Sequence, residues 1–389
     1  MVKAAYKHTV KIFHQHAIAK RNSVFSFRHD ASSIFVFSQP SFWSWSLLIL
    51  ALQCQPILNK NSTRSATPLP SNKGVYSNGH KELMMRFSLT NLIGLSLLYF
   101  SQASVSQSIE EIVEHKYAVN DGTSIHYVRA GEGPLMVFIH GFPDFWYGWR
   151  EQMMSLSDQY TVVALDTRGY NLSDKPSGYE NYSMDFLVGD VEAVIKNENR
   201  EKAIIVGHDW GGGIAWSFAG LRPEMTHRLI IFNLPHIKRL QTELAKFEAQ
   251  HEASGYARNF QLPNSHERLT AEGLAVALSR GDSKTQSRYL EAFKKSSLDA
   301  MMNYYRANFP REPYTEGQFL DIPKIQAPVL QFHGLKDTAL LPSSLNNTWE
   351  EIESDWTLMT LPTANHWSHL DEADKVNKMI RAWLEVQQD

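Results

Sequence analysis

The sequence predicts an α/β fold: a mostly parallel sheet with helices on both faces and an inserted helical cap. Short apolar runs alternate with amphipathic helical stretches, and one long strand-free gap interrupts the alternation. The runs that predict strands are 135–139, 160–165, 203–206, 229–232, 329–332 and 356–361. Uninterrupted apolar runs of this length are typical of parallel strands, because such strands are buried on both faces.

Two further patterns complete the predicted architecture. The segments 117–120 and 124–128 flank Asp121-Gly122, which predicts an antiparallel hairpin at the start of the sheet. The strand-free segment after Pro235 is predicted to be helical, and it is too long for a simple crossover between strands. We therefore predict a core made of residues 107–234 and 315–389, and a helical cap made of residues 235–314.

Composition excludes several classes of protein. The chain has 389 residues, of which 43% are hydrophobic and 20% charged, so it is neither disordered, collagen-like nor a polytopic membrane protein. Its one cysteine, Cys54, excludes an internal disulfide framework and a multi-cysteine metal site. Residues 1–85 carry a formal charge of +8 and the remainder −11. An acidic body gives no electrostatic reason to expect nucleic-acid binding.

The pattern of roughly the first hundred residues indicates a targeting sequence rather than a part of the fold. Residues 1–83 show no regular period and are predicted to be an unstructured or spurious extension. A basic start, a short apolar run and a small-residue site within 84–106 indicate a secretory signal peptide, with translation beginning at Met84 or Met85. The expected product is secreted or periplasmic, with no stable membrane association. If Met1 is the true start, the alternatives are an organelle transit peptide or a signal anchor that includes residues 42–52.

A candidate nucleophile stands where a predicted strand turns into a helix. The sequence Gly207-His-Asp-Trp-Gly211 has the small–any–nucleophile–any–small pattern of a nucleophile elbow. Asp209 occupies the nucleophile position, and a carboxylate there suits displacement at an sp3 carbon through an ester intermediate. The alternative, a surface aspartate in a glycine-rich turn, fits the flanking strand and helix less well.

Two backbone amides are candidates for an oxyanion hole. One donor in such sites comes from the residue after the nucleophile, which here is Trp210. The other comes from a loop after an earlier strand, and His140-Gly-Phe-Pro143 follows the strand 135–139. We therefore assign the second donor to Phe142.

Three motifs together resemble those of the α/β-hydrolase-fold epoxide hydrolases. They are His140-Gly-Phe-Pro143, Asp166-Thr-Arg-Gly-Tyr170 with Ser173-Asp-Lys-Pro176, and Gly207-His-Asp-Trp-Gly-Gly212. The resemblance extends from about Glu114 to Leu384. Haloalkane and haloacetate dehalogenases share these motifs, so the motifs by themselves define a superfamily rather than one reaction.

The resemblance implies a triad in the order nucleophile, acid, histidine. Asp337, in Gly334-Leu-Lys-Asp337 after a predicted strand, matches the position of the acid. His366, in Asn365-His-Trp367 with Val376-Asn377 behind it, matches the base, although Asn365 stands where the family usually has glycine. His369 is the competing histidine, and it lies where a C-terminal helix is predicted to begin.

Tyrosines in the predicted cap distinguish between the reactions. Opening an epoxide releases an alkoxide, which needs a weak acid such as tyrosine as a proton donor. Tyr256 and Tyr305 lie in segments that resemble the tyrosine-bearing segments of the family, and Tyr304 replaces Tyr305 if the helix is misread by one residue. The alternative is that both tyrosines simply pack in the core. For either tyrosine considered alone, this alternative is a strong one.

The resemblance implies hydrolysis of an apolar epoxide to a vicinal diol, with water as co-substrate and without a cofactor. Histidine and acid spacings show no metal-ligand pattern. An apolar substrate pocket is predicted to include Trp146, Trp367 and His140. The alternatives are a dehalogenase with the same triad, or a non-catalytic binding protein on the same fold. The sequence leaves open the physiological substrate, the regio- and enantioselectivity, and the oligomeric state, including a homodimer.

Overall fold

The computed structural model of the chain describes residues 108–315 and 317–387. The predictions made for 1–83 and for the signal peptide at 84–106 lie outside these residues. No helix in the described part combines the length and the apolar character that a membrane crossing would need.

Eight strands form one sheet in the described part of the chain, in the order β1-β2-β4-β3-β5-β6-β7-β8. The first two strands form the predicted hairpin, and β2 also pairs antiparallel with β4. All other neighbours in the sheet run parallel. In chain order, the strands are Glu114–Asn120, Thr123–Ala130, Leu135–Ile139, Thr161–Leu165, Ala203–His208, Thr226–Phe232, Val329–Gly334 and Trp356–Leu361. The predicted mostly parallel α/β fold is thereby confirmed.

Every residue of β3, β4, β5 and β7 is buried, as expected for parallel strands covered on both faces. Two strands extend beyond their apolar runs. In β5 the backbone continues to pair through Gly207 and His208, and β6 already begins at Thr226. The ladder bonds are made by the backbone, so they continue past the point where the apolar side chains stop. As a result, β5 runs directly into Asp209.

Helices connect the strands and cover the sheet. In chain order, the helices α1 to α12 are Ile109–Ile112, Arg150–Leu156, Met184–Asn197, Trp210–Leu221, Ile237–Lys246, Glu248–Ala253, Gly255–Phe260, Ala271–Leu278, Ser283–Lys295, Leu298–Asn308, Ser368–Asp371 and Ala373–Val386. Helix α3 packs on α4, and α2 packs on α12. The large apolar core lies between these helices and the sheet.

Helices α5 to α10 fill the interval between β6 and β7, which is the range predicted for the cap. Four of them begin at side chains that accept a hydrogen bond from the first turn: His236 from the Lys238 amide, Thr270 from Gly273, Asp282 from Thr285, and Ser297 from Ala300. Such caps satisfy backbone N–H groups that have no partner within the helix. The division of the chain into core and cap stays a prediction, and these helices lie where it places the cap.

Candidate active site

Asp209 lies at a sharp turn between β5 and α4. Its backbone has a φ of 51° and a ψ of −123°, a conformation that is strained for a residue with a side chain. The turn brings backbones very close together, because a Cβ added to Gly211 would lie 2.0 Å from the carbonyl oxygen of Ile139. Glycine is therefore required at this position, and the turn presents the Asp209 side chain beyond the carboxyl end of the sheet.

Asp209 is 6% exposed, and its carboxylate has a backbone donor beside it. The amide of Phe142 donates a hydrogen bond to Oδ1 of Asp209 across 2.8 Å. Trp210 is the first residue of α4, so its amide belongs to the helix N–H groups that have no acceptor within the helix. These are the two amides that the sequence assigns to the oxyanion hole.

His366 lies between two carboxylates. Its Nδ1 is 2.8 Å from Oδ2 of Asp337, and its Nε2 is 3.4 Å from Oδ2 of Asp209. Asp209 follows β5, Asp337 follows β7 and His366 lies between β8 and α11, so the carboxyl ends of three parallel strands bring the triad together. In this arrangement Asp337 orients the imidazole and leaves Nε2 directed at the nucleophile.

The three groups shift one another's pKa values. Burial lowers the pKa of His366, but the two carboxylates outweigh burial and raise this pKa to about 10. Burial raises the pKa values of both acids, but the hydrogen bonds and charge of His366 outweigh it and hold the pKa of Asp337 at about 2 and that of Asp209 below its usual value. The resting site therefore holds an ionised nucleophile and an imidazolium.

The competing histidine, His369, lies in the core instead. Its ring packs on Trp149 with 4.5 Å between ring centroids, and it also contacts Phe232. Burial lowers its pKa well below the usual value, so the ring is neutral. The structure therefore places His366, and not His369, between the two acids.

Tyr256 in α7 and Tyr305 in α10 line the same cavity as Asp209, and their ring centroids are 6.1 Å apart. Burial raises the pKa of each phenol, and the charge of Asp209 raises it further, so both keep their protons. Tyr304 is turned away, because its hydroxyl donates to the carbonyl of Arg168 at 2.9 Å. The helix register thus places Tyr305 in the cavity and Tyr304 in the core.

The cavity over Asp209 has a volume of about 370 Å³. Besides Asp209, Trp210 and the two tyrosines, its wall is largely apolar and includes Leu234, Ile237, Leu240, Phe309, Phe319 and Leu340. A wall of this kind suits an apolar substrate with a few fixed polar contacts.

The structure corrects the predicted pocket residues, since Trp146, Trp367 and His140 do not line this cavity. Trp146 lines a separate surface depression, and Trp367 packs its ring against His366. His140 is buried, where it accepts from the amide of Thr167 at 3.1 Å. The prediction failed because aromatic residues close to a motif in sequence pack into the core, whereas most of the actual lining comes from the cap and the segments next to it.

Two supporting residues were not assigned from the sequence. Asn233, at the end of β6, donates from Nδ2 to Oδ2 of Asp337 at 2.9 Å. His208 lies directly before the nucleophile, with its Nε2 2.9 Å from the carbonyl oxygen of His366. Their positions at strand ends beside the elbow are the signal that could have identified them, because ligand-facing groups gather there in parallel sheets.

No group of three or more His, Cys, Asp or Glu side chains arranged to hold a metal ion occurs within residues 108–315 and 317–387. The groups that the site itself offers are a carboxylate, an imidazole, two phenols and backbone amides.

Comparisons with known proteins agree with this arrangement. A family model described as the alpha/beta hydrolase fold matches residues 134–373. The AB hydrolase superfamily protein YfhM of Bacillus subtilis is 36% identical over 290 residues, covering 71% of this chain and 99% of that protein. Epoxide hydrolase 1 of Caenorhabditis elegans is 32% identical over 322 residues, covering 77% of this chain and 78% of that protein.

A solved structure extends the comparison to the whole fold. The crystal structure of a mutant epoxide hydrolase from Bacillus megaterium, in complex with a naphthyloxy-propanediol product, matches with a TM-score of 0.66 and 33% sequence identity. The match covers 69% of this chain and 100% of that one. The resemblance seen in the sequence motifs is thereby confirmed, and the chain belongs to the α/β-hydrolase-fold epoxide hydrolase family.

Proposed function

We propose that this protein hydrolyses apolar epoxides to vicinal diols, using Asp209 as the nucleophile and no cofactor. The observation that carries this proposal is the cavity in which an ionised carboxylate faces two protonated phenols. An epoxide needs both at once, because its carbon is attacked while its oxygen takes up a proton. The relative from Bacillus megaterium was crystallised with a diol product, which supports the same reaction here.

In the first half-reaction, one carboxylate oxygen of Asp209 attacks the less hindered ring carbon. The C–O bond of the epoxide breaks, and its oxygen takes a proton from Tyr256 or Tyr305. The product is a hydroxyalkyl ester on Asp209. Since the pKa values of both phenols are raised, each tyrosine stays protonated until the alkoxide forms.

In the second half-reaction, Nε2 of His366 removes a proton from water, and the hydroxide attacks the carbonyl carbon of the ester. The negative charge that develops on the former carboxylate oxygen lies beside the amide of Phe142, which already donates to Oδ1. Each such donor contributes about 3 kcal/mol to the transition state. The acyl C–O bond then breaks, and the leaving alkoxide takes the proton of the newly added hydroxyl, so the diol leaves and Asp209 is again a carboxylate. The phenolate left by the first half-reaction takes the proton that His366 gives up before it acts as the base, so the cycle ends with a phenol, an imidazolium and a carboxylate.

The side chain of Phe142 argues against a dehalogenase. Haloalkane dehalogenases usually hold the leaving halide with a polar residue at this position. Here the ring of Phe142 packs against Phe260 and Tyr305, with centroid distances of 5.1 and 5.7 Å. The two tyrosines add phenol hydroxyls to this cavity, and phenols suit a leaving group that needs a proton. A pure binding protein would need none of the ordered triad.

One assay distinguishes the three candidates. The purified protein is incubated separately with styrene oxide and with a bromoalkane, and diol and bromide are measured. An epoxide hydrolase releases diol from the first and no bromide from the second. Bromide release with no diol would establish a dehalogenase, and binding without either product would establish a binding protein.

We further propose that the protein is exported by a leader that begins at Met84 or Met85. The support is the sequence pattern of residues 84–106. N-terminal sequencing of the exported protein should give a start near Ser104, and a start upstream of Met84 would refute the proposal. A homodimer also stays a prediction, which light scattering of the purified protein would test.

A further inference from the structure

A second carboxylate lines the cavity that holds the nucleophile. Asp209 is buried, whereas Asp185, in the first turn of α3, is exposed to solvent. Asp185 therefore lies where the cavity opens. None of the described residues that line this cavity is a lysine, an arginine or a histidine. A substrate that reaches Asp209 through this opening passes the carboxylate of Asp185. No cationic side chain is among the described lining residues.

The carboxylate of Asp185 is not paired with another side chain in the described part of the chain, either by a hydrogen bond or by an ion pair. The cations that share a neighbouring surface depression with Asp185 are Lys196 and Arg222. Both are bound to Glu192, at 2.6 and 2.8 Å. Asp185 is therefore available to a ligand.

The same end of the cavity carries other hydrogen-bond acceptors. Asn308, the last residue of the cap helix α10, donates from Nδ2 to the carbonyl oxygens of Tyr182 and Tyr304, at 2.8 and 3.1 Å. These two bonds use both amide hydrogens, so Oδ1 is the group left for a ligand. They also hold the cap against the segment that precedes α3, which places Ser183 and Asp185 at the seam between cap and core.

We propose that Asp185 makes this cavity selective for epoxides whose far end is cationic, and against epoxides whose far end is a carboxylate; this rests on the proposed epoxide hydrolase function. The apolar wall holds the body of such a substrate, and the seam receives its polar end. A neutral end that donates hydrogen bonds is accepted too, because the seam offers acceptors. Since Asp185 is exposed to solvent, we expect its carboxylate to strengthen the binding of a cationic end by about fivefold and to weaken the binding of a carboxylate end by about fivefold.

The test uses three terminal epoxides on the same alkyl chain, ending in trimethylammonium, in tert-butyl or in carboxylate. Trimethylammonium and tert-butyl have nearly the same shape, so their comparison isolates charge. The kcat/KM for diol formation is measured for the wild-type chain and for Asp185→Asn, which keeps the size of the side chain. The matched control is Glu201→Gln, which removes one exposed carboxylate at the opposite, amino end of β5.

The wild-type chain should prefer the ammonium substrate to tert-butyl by about fivefold, and tert-butyl to carboxylate by about fivefold, mainly through KM. Both preferences should shrink at high ionic strength. Asp185→Asn should bring the three values close together, and Glu201→Gln should keep the wild-type order. Equal ratios in wild type and Asp185→Asn, with tert-butyl turned over normally, would overturn the inference and leave the epoxide hydrolase function intact. Absence of diol from every substrate would overturn both.

Discussion

Asp209 and His366 hold each other in charged states that the ester intermediate abolishes. In the resting site, Asp209 and Asp337 together raise the pKa of His366 to about 10 despite its burial. An imidazolium cannot accept a proton from water. Once Asp209 has become an ester, one of the two carboxylate charges is gone, and the pKa of His366 falls. The imidazole therefore becomes a base at the step that needs one.

This coupling predicts different pH dependences for the two half-reactions. Formation of the ester needs Asp209 ionised, and because its pKa lies below the usual value of about 3.9, the rate should stay flat from about pH 5 to 9. Hydrolysis of the ester needs neutral His366, so its rate should fall as the pH drops below the pKa of His366 in the ester. Stopped-flow measurement of tryptophan fluorescence in single turnovers separates the two rates. A hydrolysis rate that is independent of acid pH would contradict this account.

Removing the base should trap the intermediate. In His366→Gln, Asp209 can still attack the epoxide, but the rate of ester hydrolysis should fall about a thousandfold. Mass spectrometry of the intact protein should then show an increase equal to the mass of the substrate. The double variant Asp209→Asn with His366→Gln is the control and should show no adduct. An adduct in that double variant would place the nucleophile elsewhere.

Among the elements, the helices between β6 and β7 carry the two phenols of the site. Tyr256 and Tyr305 come from α7 and α10, and both line the cavity over Asp209. Each single Tyr→Phe change should lower the rate of ester formation by about tenfold, because the other phenol remains, and the double change by about a thousandfold. Pre-steady-state measurement of ester formation checks this. If the double variant lost only the product of the two single rate effects, the two phenols would not substitute for one another.

The neighbouring Tyr304 provides a matched control for these changes. It lies in the same helix but donates to the backbone carbonyl of Arg168 in the core. Tyr304→Phe should therefore lower the free energy of unfolding by about 1 kcal/mol and leave ester formation unchanged. A loss of ester formation equal to that of Tyr305→Phe would indicate that the wrong tyrosine has been assigned.

The strand–turn–helix element that carries Asp209 depends on close backbone approach. In Gly211→Ala, the new methyl would meet the carbonyl oxygen of Ile139 at 2.0 Å, so the free energy of unfolding should fall by about 3 kcal/mol. Gly213→Ala in the same helix is the control, because its methyl would make ordinary contacts from 3.6 Å outward. Urea denaturation of both variants measures the difference. Equal stabilities would show that the elbow tolerates a side chain.

For the molecule as a whole, the part of the chain that the structure describes carries every group that the mechanism uses. The nucleophile, the phenols, the imidazole with its acid partner, the amides and the described cavity wall lie between residues 108 and 387. A protein that starts at Gln107 should therefore keep its kcat/KM within about twofold and its melting temperature within a few degrees. Measurement of kcat/KM and of thermal unfolding for the full chain and for the protein that starts at Gln107 tests this. A loss of activity above tenfold would give residues 1–106 a role in the site.

Features that depend on neighbouring residues in the chain were predictable from the sequence. Apolar runs predicted the parallel strands, because a strand buried on both faces must be apolar throughout. The glycine-rich turn predicted the elbow and Asp209, because strand, turn and helix follow one another directly in the chain. The oxyanion loop was predicted for the same reason.

Contacts between residues that are distant in the chain depend on the packing of the whole fold. His366 and His369 are three residues apart, yet one lies between two carboxylates and the other packs on Trp149. Likewise, Tyr305 faces the cavity and Tyr304 the core, which depends on the rotation of α10. The cavity wall was mispredicted, and Asp185 at its mouth was not foreseen. Pocket lining depends on the packing of cap against core, and no local sequence pattern specifies that packing.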